Sequence, residues 1–297
     1  MRFALLVLLV VISPLSAADP AALFERKNLV AWCIVPFDGK HRGPDERAAM
    51  MKKLGFQHYA YDWRDQHLPS FEKELAALER EGIKLDAVWF PASLDKNAKF
   101  FLETLEKHKI QTQFWVTMNG GSVTTTPEEQ AKRVKQHADS LRPIAEAAGK
   151  IGCTVGLYNH GGWFGEPENQ IAIIDTLKLK NVGIVYNLHH GHDHLVRFPQ
   201  LLKVMKPHLY AVNLNGTVKG GDKVGQKILP LGQGAEDLRL LKAIQDSGYA
   251  GPIGIIGHTD DDAEERLRDN LDGLDWLVPQ LAGKPAGPKP PPRTGKK

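Results

Sequence analysis

The chain has 297 residues, 42% apolar and 25% charged, a balance that excludes a disordered, collagenous or multi-span membrane protein. Its formal net charge of +3 sits at the ends. Arg2 opens the chain and Lys284, Lys289, Arg293, Lys296 and Lys297 close it, so the slightly acidic body between them lacks the basic field that nucleic acid binding demands.

In chain order, Arg2 precedes an apolar run from Phe3 to Ile12, and Ser16-Ala17-Ala18 places small residues ahead of Asp19. This is the pattern of a signal peptide over residues 1–18, too short for a membrane span, with a buried N-terminal helix as the alternative. No later stretch is apolar enough to cross a bilayer. The expectation is a periplasmic or secreted protein whose domain runs over residues 19–282. Strands are then expected at 29–36, 56–62, 84–90, 110–118, 153–159, 182–188, 208–214 and 251–257. They alternate with helices at 44–54, 69–82, 95–108, 128–149, 167–179, 195–206, 235–248 and 260–281. Val134, Leu141, Ile144 and Ala148 share one helical face, as do Leu267, Leu271, Leu274 and Leu277. Pro44, Pro127 and Pro167 stand near helix starts, and Gly55, Gly82 and Gly248 follow helix ends. Runs such as Val182-Gly183-Ile184-Val185-Tyr186 are apolar without alternation, as parallel strands covered on both faces should be.

Eight strand–helix units in one chain of this length predict an α/β fold, a single (β/α)8 TIM barrel. The competing open doubly wound sheet lacks its signature: no Gly-x-Gly-x-x-Gly follows the first strand and no phosphate-loop motif appears. The barrel places Cys33 and Cys153 on the first and fifth strands, on opposite sides and beyond the roughly 7 Å that a disulfide spans, so two buried thiols are expected. Residues 283–297 hold five prolines among five cations and no aromatic residue, the composition of a disordered, solvated tail.

Chemistry in such a barrel sits at the C-terminal ends of the strands. Those positions supply Asp38, Lys40 and His41 after strand one, then Asp62, Arg64 and His67 after strand two, and Asn119 after strand four. Strand five brings Tyr158, Asn159 and His160, with Trp163 and Glu166 following. Strand six brings Asn187, His189, His190, His192, Asp193 and His194, and the last two strands bring Asn213, Asn215, His258 and Asp260. Amides and imidazoles hydrogen-bond hydroxyls while aromatic faces stack on sugar C–H surfaces, so this rim suits a small carbohydrate. Bland roles compete at each position. At most two of the histidines in 189–194 can point inward from one strand end. Asp62 and Arg64 can pair with each other, Asn213 and Asn215 can satisfy loop backbone, and His258 can cap the last helix.

The segments Val155-Gly156-Leu157-Tyr158-Asn159-His160-Gly161-Gly162 and Asn181 to His190 resemble the xylose-isomerase-like barrel superfamily, the sugar phosphate isomerase/epimerase group. So do Tyr210 to Asn215, Leu231-Gly232-Gln233-Gly234 and Ser247 to Ile253. The resemblance implies a divalent metal held by Glu, Asp, His and Glu from strands five to eight. Those positions fall here on Tyr158, Asn187, Asn213 and a residue at or near Ile256, so three carboxylates are lost and the usual metal is not expected to bind. A rearranged zinc site of His160, His190 and His258 is the alternative.

The reading that follows is an isomerase or epimerase acting beside a sugar carbonyl. His160 and His190 are its acid–base pair and Glu166 a further base. Asp62, Asn159, Tyr158, Trp163, Asn187, Asn213 and His258 bind substrate. The alternative is a non-catalytic carbohydrate-binding barrel. A nuclease would need an acidic multi-metal site and a basic groove, and the sequence has neither.

Overall fold

The computed structural model describes residues 20–294; the expected signal peptide and the last three residues lie outside them. Eight parallel strands pair in sequence order and close, β1 with β8, into a barrel. They are β1 (Leu29–Trp32), β2 (His58–Tyr61), β3 (Lys84–Trp89), β4 (Gln113–Val116), β5 (Thr154–Tyr158), β6 (Val182–Asn187), β7 (Leu209–Leu214) and β8 (Ile253–Ile256). Around them lie α1 (Pro44–Lys53), α2 (Phe71–Glu81), α3 (Lys96–Lys107), α4 (Pro127–Lys150), the single turn α5 (Gly162–Gly165), α6 (Pro167–Leu177), α7 (Phe198–Met205), α8 (Asp237–Asp246) and α9 (Ala263–Leu281). The fold is the expected (β/α)8 barrel, with each strand shorter than its apolar run because the run continues into the flanking loop.

Each strand is apolar on both faces. Tyr59, Val88, Phe114, Leu157, Ile184, Val212 and Ile255 face the helices and join the large outer core. Val30, Trp32, Ala60, Ala87, Trp115, Tyr158, Val185, Ala211 and Ile256 form a separate cluster inside the barrel. There Trp32 meets Trp115 edge to face, with ring centroids 4.6 Å apart at 74°. Small residues make room for these rings. A Cβ on Gly156 would lie 2.5 Å from Val185 and 3.2 Å from the Trp115 indole. The interior is a packed core and not a pore.

The helices follow their caps. Asp95 accepts the Asn97 and Ala98 N–H groups at the start of α3, and Thr126 accepts the Glu129 N–H at the start of α4. Leu267, Leu271, Leu274 and Leu277 are buried along α9 as their spacing requires, each contributing about 1.5–3 kcal/mol against exposure. Cys33 and Cys153 are both buried and free.

Residues 283–293 are mostly exposed, and they run along α9 tied down at a few points. The Trp276 indole donates to the Gly287 carbonyl and the Gln233 amide to that of Pro290. Asp269 then accepts the N–H groups of Arg293 and Thr294, the Thr294 hydroxyl and the Arg293 guanidinium. Arg266, buried, touches Thr294 Oγ1 on one side and donates to the Ile228 carbonyl on the other. Proline-rich composition describes the chain's stiffness but not its docking; prolines with preset φ lose little entropy when an acceptor such as Asp269 is waiting.

Candidate functional site

A cavity of about 670 Å³ opens at the C-terminal ends of the strands. Its floor is the aromatic top of the barrel core: Trp32, Trp89 and Tyr158, the last two edge to face at 4.9 Å. Phe37, Trp63 and Pro91 form walls. Where β1 ends, Cys33 takes a left-handed backbone (φ 57°) that costs an L-residue about 1–2 kcal/mol. That turn brings the Ile34 and Val35 N–H groups onto Asp62 Oδ1, each at 3.2 Å.

Asp62, at the end of β2, is 3% exposed and its Oδ2 is buried with no partner. Burial pushes its carboxyl up to about 6, against the pull of the Val35 N–H and of Arg64.

Four imidazoles line the same cavity from the ends of β5, β6 and β8. The His160 and His190 rings lie 4.3 Å apart, His189 and His190 3.8 Å, and His189 and His258 6.0 Å between centroids. His258 packs against Phe37 with ring centroids 3.6 Å apart and planes tilted by 48°, and Arg64 lies over the same Phe37 ring. Burial, then the neighbouring His160 ring and the Lys227 charge, pushes His190 down to about 2. Burial likewise lowers His258 to about 4 and brings His160 and His189 down. At neutral pH each ring is uncharged, with one N–H donor and one acceptor.

The six-residue histidine run divides as strand geometry demands. His189 and His190 line the cavity. His192 bonds to the Lys227 carbonyl, and His194 lies between the Tyr186 hydroxyl and Glu166.

Several expected site residues lie elsewhere. Glu166 is no base in this cavity; it starts α6, pairs with His194 and Arg197, and its carboxyl is held low by the His194 hydrogen bond and then by charge. Trp163 does not line the cavity. It is buried against His137, its ring stacked at 5.2 Å and its indole N–H donated to Gln130. The cause is local. Gly161 and Gly162 have positive φ, and the turn they make folds onto the loop after β4, where a Cβ on Gly120 would meet the Gly161 carbonyl at 2.7 Å. Residues 163–166 are thereby carried away from the mouth. Asn159 clasps β6, accepting the Asn187 N–H and donating to its carbonyl. Asn187 and Asn213 are fully buried, with both amide atoms unpartnered, and do not line the cavity.

Tyr158, Asp62, His160, His190 and His258 are brought together as expected. Sequence reasoning missed Trp32, Cys33, Phe37, Trp63, Trp89, Asp65, Gln66, Asp95 and Asn97. The last four follow strands two and three, where strand-end position was itself the available signal.

The metal positions implied by the resemblance do not suit a hard divalent cation. The Tyr158 hydroxyl accepts from the Trp32 indole at 3.3 Å, and burial raises its pKa well above the usual value, so it stays a neutral phenol. Asn187 and Asn213 are amides, and Ile256 is apolar and buried. Nothing in this set offsets the charge of an ion stripped of water. His160, His190 and His258 line one cavity, yet among the described residues no three His, Cys, Asp or Glu side chains are arranged to grip an ion.

Residues 49–279 match the family model described as xylose isomerase-like TIM barrel. No curated protein matches the sequence. Among solved structures, the chain is similar to the 3-keto-D-glucoside 4-epimerase of E. coli, with TM-score 0.62 and 18% identity over 84% of this chain and 98% of that one. It is also similar to the zinc-bound IOLI protein, with TM-score 0.66 and 16% identity over 86% and 99%. The D-psicose 3-epimerase of Clostridium cellulolyticum H10, solved with D-tagatose, gives TM-score 0.59 and 13% identity over 86% and 99%. At these identities the likeness is one of fold.

Proposed function

The chain belongs to the xylose isomerase-like TIM barrel family, and on that premise we propose that it is a sugar-modifying enzyme of the isomerase or epimerase type. Asp62 is the group that moves a proton beside the substrate carbonyl. The observation that carries this reading is a carboxyl poised at about 6, fixed by two backbone N–H groups on one oxygen and free on the other, in a cavity shared with His160 and His190. A proton-transfer group works best when its pKa lies near the working pH. His190, expected from sequence as an acid–base group, stays neutral at any working pH and serves instead as a hydrogen-bond donor.

In the step we propose, sugar C–H faces rest on Trp32 and Trp89. The Asp62 carboxylate takes the proton from the carbon next to the carbonyl. The electron pair of that C–H bond becomes the C=C bond of an enolate, whose oxygen carries the charge and accepts N–H donors from His160 and His190. A proton delivered to the same carbon from the opposite face by an imidazole N–H, restored from water, gives the epimer; return of the Asp62 proton to the former carbonyl carbon, with the adjacent hydroxyl proton passing to the former carbonyl oxygen, gives the isomer. No metal takes part in this scheme, because the donor set does not suit one. The pattern of residues 1–18 supports export as part of the proposal, and fractionation of expressing cells tests it.

A second reading, carbohydrate binding without turnover, is favoured by the replacement of all four metal-ligand positions. NMR of aldoses, ketoses and keto-glycosides in deuterated water decides between the two. Deuterium uptake beside a carbonyl that persists with a chelator and disappears in Asp62→Asn supports the enzyme. Saturable binding with no uptake across the panel supports the binding protein.

A further inference from the structure

The cavity has two chemically different ends, and they face each other across the barrel mouth. One is the imidazole end after β5, β6 and β8. The other is made by Asp65, Gln66, Asp95 and Asn97 from the loops after β2 and β3, roughly opposite β6 and β7 in the closed ring. Between them lie the rings of Trp63 and Trp89, tied together by the Trp63 indole donating to the Trp89 carbonyl at 2.6 Å.

The second end is built and not incidental. The Asn97 amide donates to Asp65 Oδ1 at 3.3 Å, which joins the two loops. Asp95 is fixed through Oδ1 by two N–H groups of α3. This leaves carboxylate oxygens and the Gln66 amide for a ligand's hydroxyls, with aromatic surface beside them. Size points the same way. A single hexose fills roughly 200 Å³ at interior packing density, far less than the cavity's 670 Å³.

We propose that the natural substrate is a two-unit sugar, a glycoside or disaccharide whose reacting unit carries a ketone or opens to an aldehyde. Its reacting ring lies between Asp62 and the imidazoles, and its second unit lies on the Trp63 ring against Asp65, Gln66, Asp95 and Asn97. This rests on the sugar-modifying reading and adds to it a substrate class. The second unit supplies binding energy away from the reacting carbon, which enzymes convert into orientation at the chemical step.

The test is a calorimetric titration of the full chain with cellobiose, lactose and maltose, each against its constituent hexoses. At least one disaccharide is expected to bind tenfold or more tightly than either of its units. In the Gln66→Ala/Asn97→Ala double variant, with its thermal unfolding checked against the parent, that ratio is expected to collapse towards one. Equal affinity for disaccharide and hexose, or a ratio unchanged in a folded double variant, overturns the two-unit cavity and spares the sugar reading. Failure of every sugar of both sizes to bind overturns both.

Discussion

Two buried carboxylates in this molecule share an environment and differ in what they are for. Asp62, after β2, and Asp237, at the start of α8, are both pushed up by burial, to about 6 and about 7. Asp237 spends both oxygens. Oδ1 accepts the Thr217 N–H, and Oδ2 accepts those of Gly232 and Gly234, pinning the long loop after β7. Asp62 spends one oxygen and keeps the other free beside the cavity. A raised pKa records burial; an unspent oxygen marks a site only in a residue that lines the cavity, as Asp62 does and Glu74, raised and half-partnered by Arg47, does not. The two observations are independent, and both are needed.

Replacing each aspartate by asparagine separates them, because an amide offers one acceptor where a carboxylate offers two. Asp62→Asn is expected to retain the fold and lose roughly 10²–10⁴-fold in proton exchange, read by NMR with melting temperature as control. Asp237→Asn is expected to turn an amide N–H against a backbone donor and destabilise by about 2–4 kcal/mol, read as a shift in the denaturant midpoint.

A smaller effect separates the imidazole side from the carboxylates. The raised carboxyls bind protons more readily in the folded chain, so their destabilising influence at neutral pH is relieved as pH falls through about 7 and 6. The lowered imidazoles act the other way: their stability contribution is present above the unfolded value near 6.5 and is lost as pH falls below it. The six lowered imidazoles, His67, His137, His160, His189, His190 and His258, outnumber the four raised carboxyls, Asp62, Glu74, Asp237 and Asp275, so stability is expected to fall between pH 6.5 and 4, less steeply in His190→Gln. Chemical denaturation at stepped pH measures both slopes. Activity, by contrast, is expected to rise through about pH 6 as Asp62 ionises.

Removing Asp269, which holds the tail, by Asp269→Ala is expected to cost about 1–3 kcal/mol and to make the last residues cleavable by protease. The smallest change is expected of Glu166→Gln. Glu166 and Arg197 are each about 40% exposed, and such pairs contribute about 0–1 kcal/mol. Exchange activity unchanged there confirms that this carboxylate stands outside the chemistry.

The barrel was legible because burial on both faces writes uninterrupted apolar runs, with proline and glycine marking where helices begin and end. The imidazole half of the cavity was legible too, since His160, His190 and His258 stand at strand ends. The other half was not. Trp32 and Trp89 read as strand core, which they also are, because the floor of the cavity is the top of the barrel interior. Asp95 reads as a helix cap and performs that role with one oxygen. Glu166 and Trp163 were misplaced because strand-end position predicts direction only until the first left-handed turn, here Gly161. The anchoring of the tail was not legible, because composition carries no information about a waiting acceptor such as Asp269.

Closure of the ring through β1 and β8 has a consequence for synthesis. The first strand waits for a partner that begins more than two hundred residues later, an interval on the order of tens of seconds at ribosomal rates. Throughout it the nascent chain presents two open sheet edges, the condition under which β-rich intermediates aggregate. Chaperone demand should therefore concentrate in the time before Ile256 emerges, and a circular permutant that starts at β2 would hand the wait to β2, whose partner β1 would then be made last.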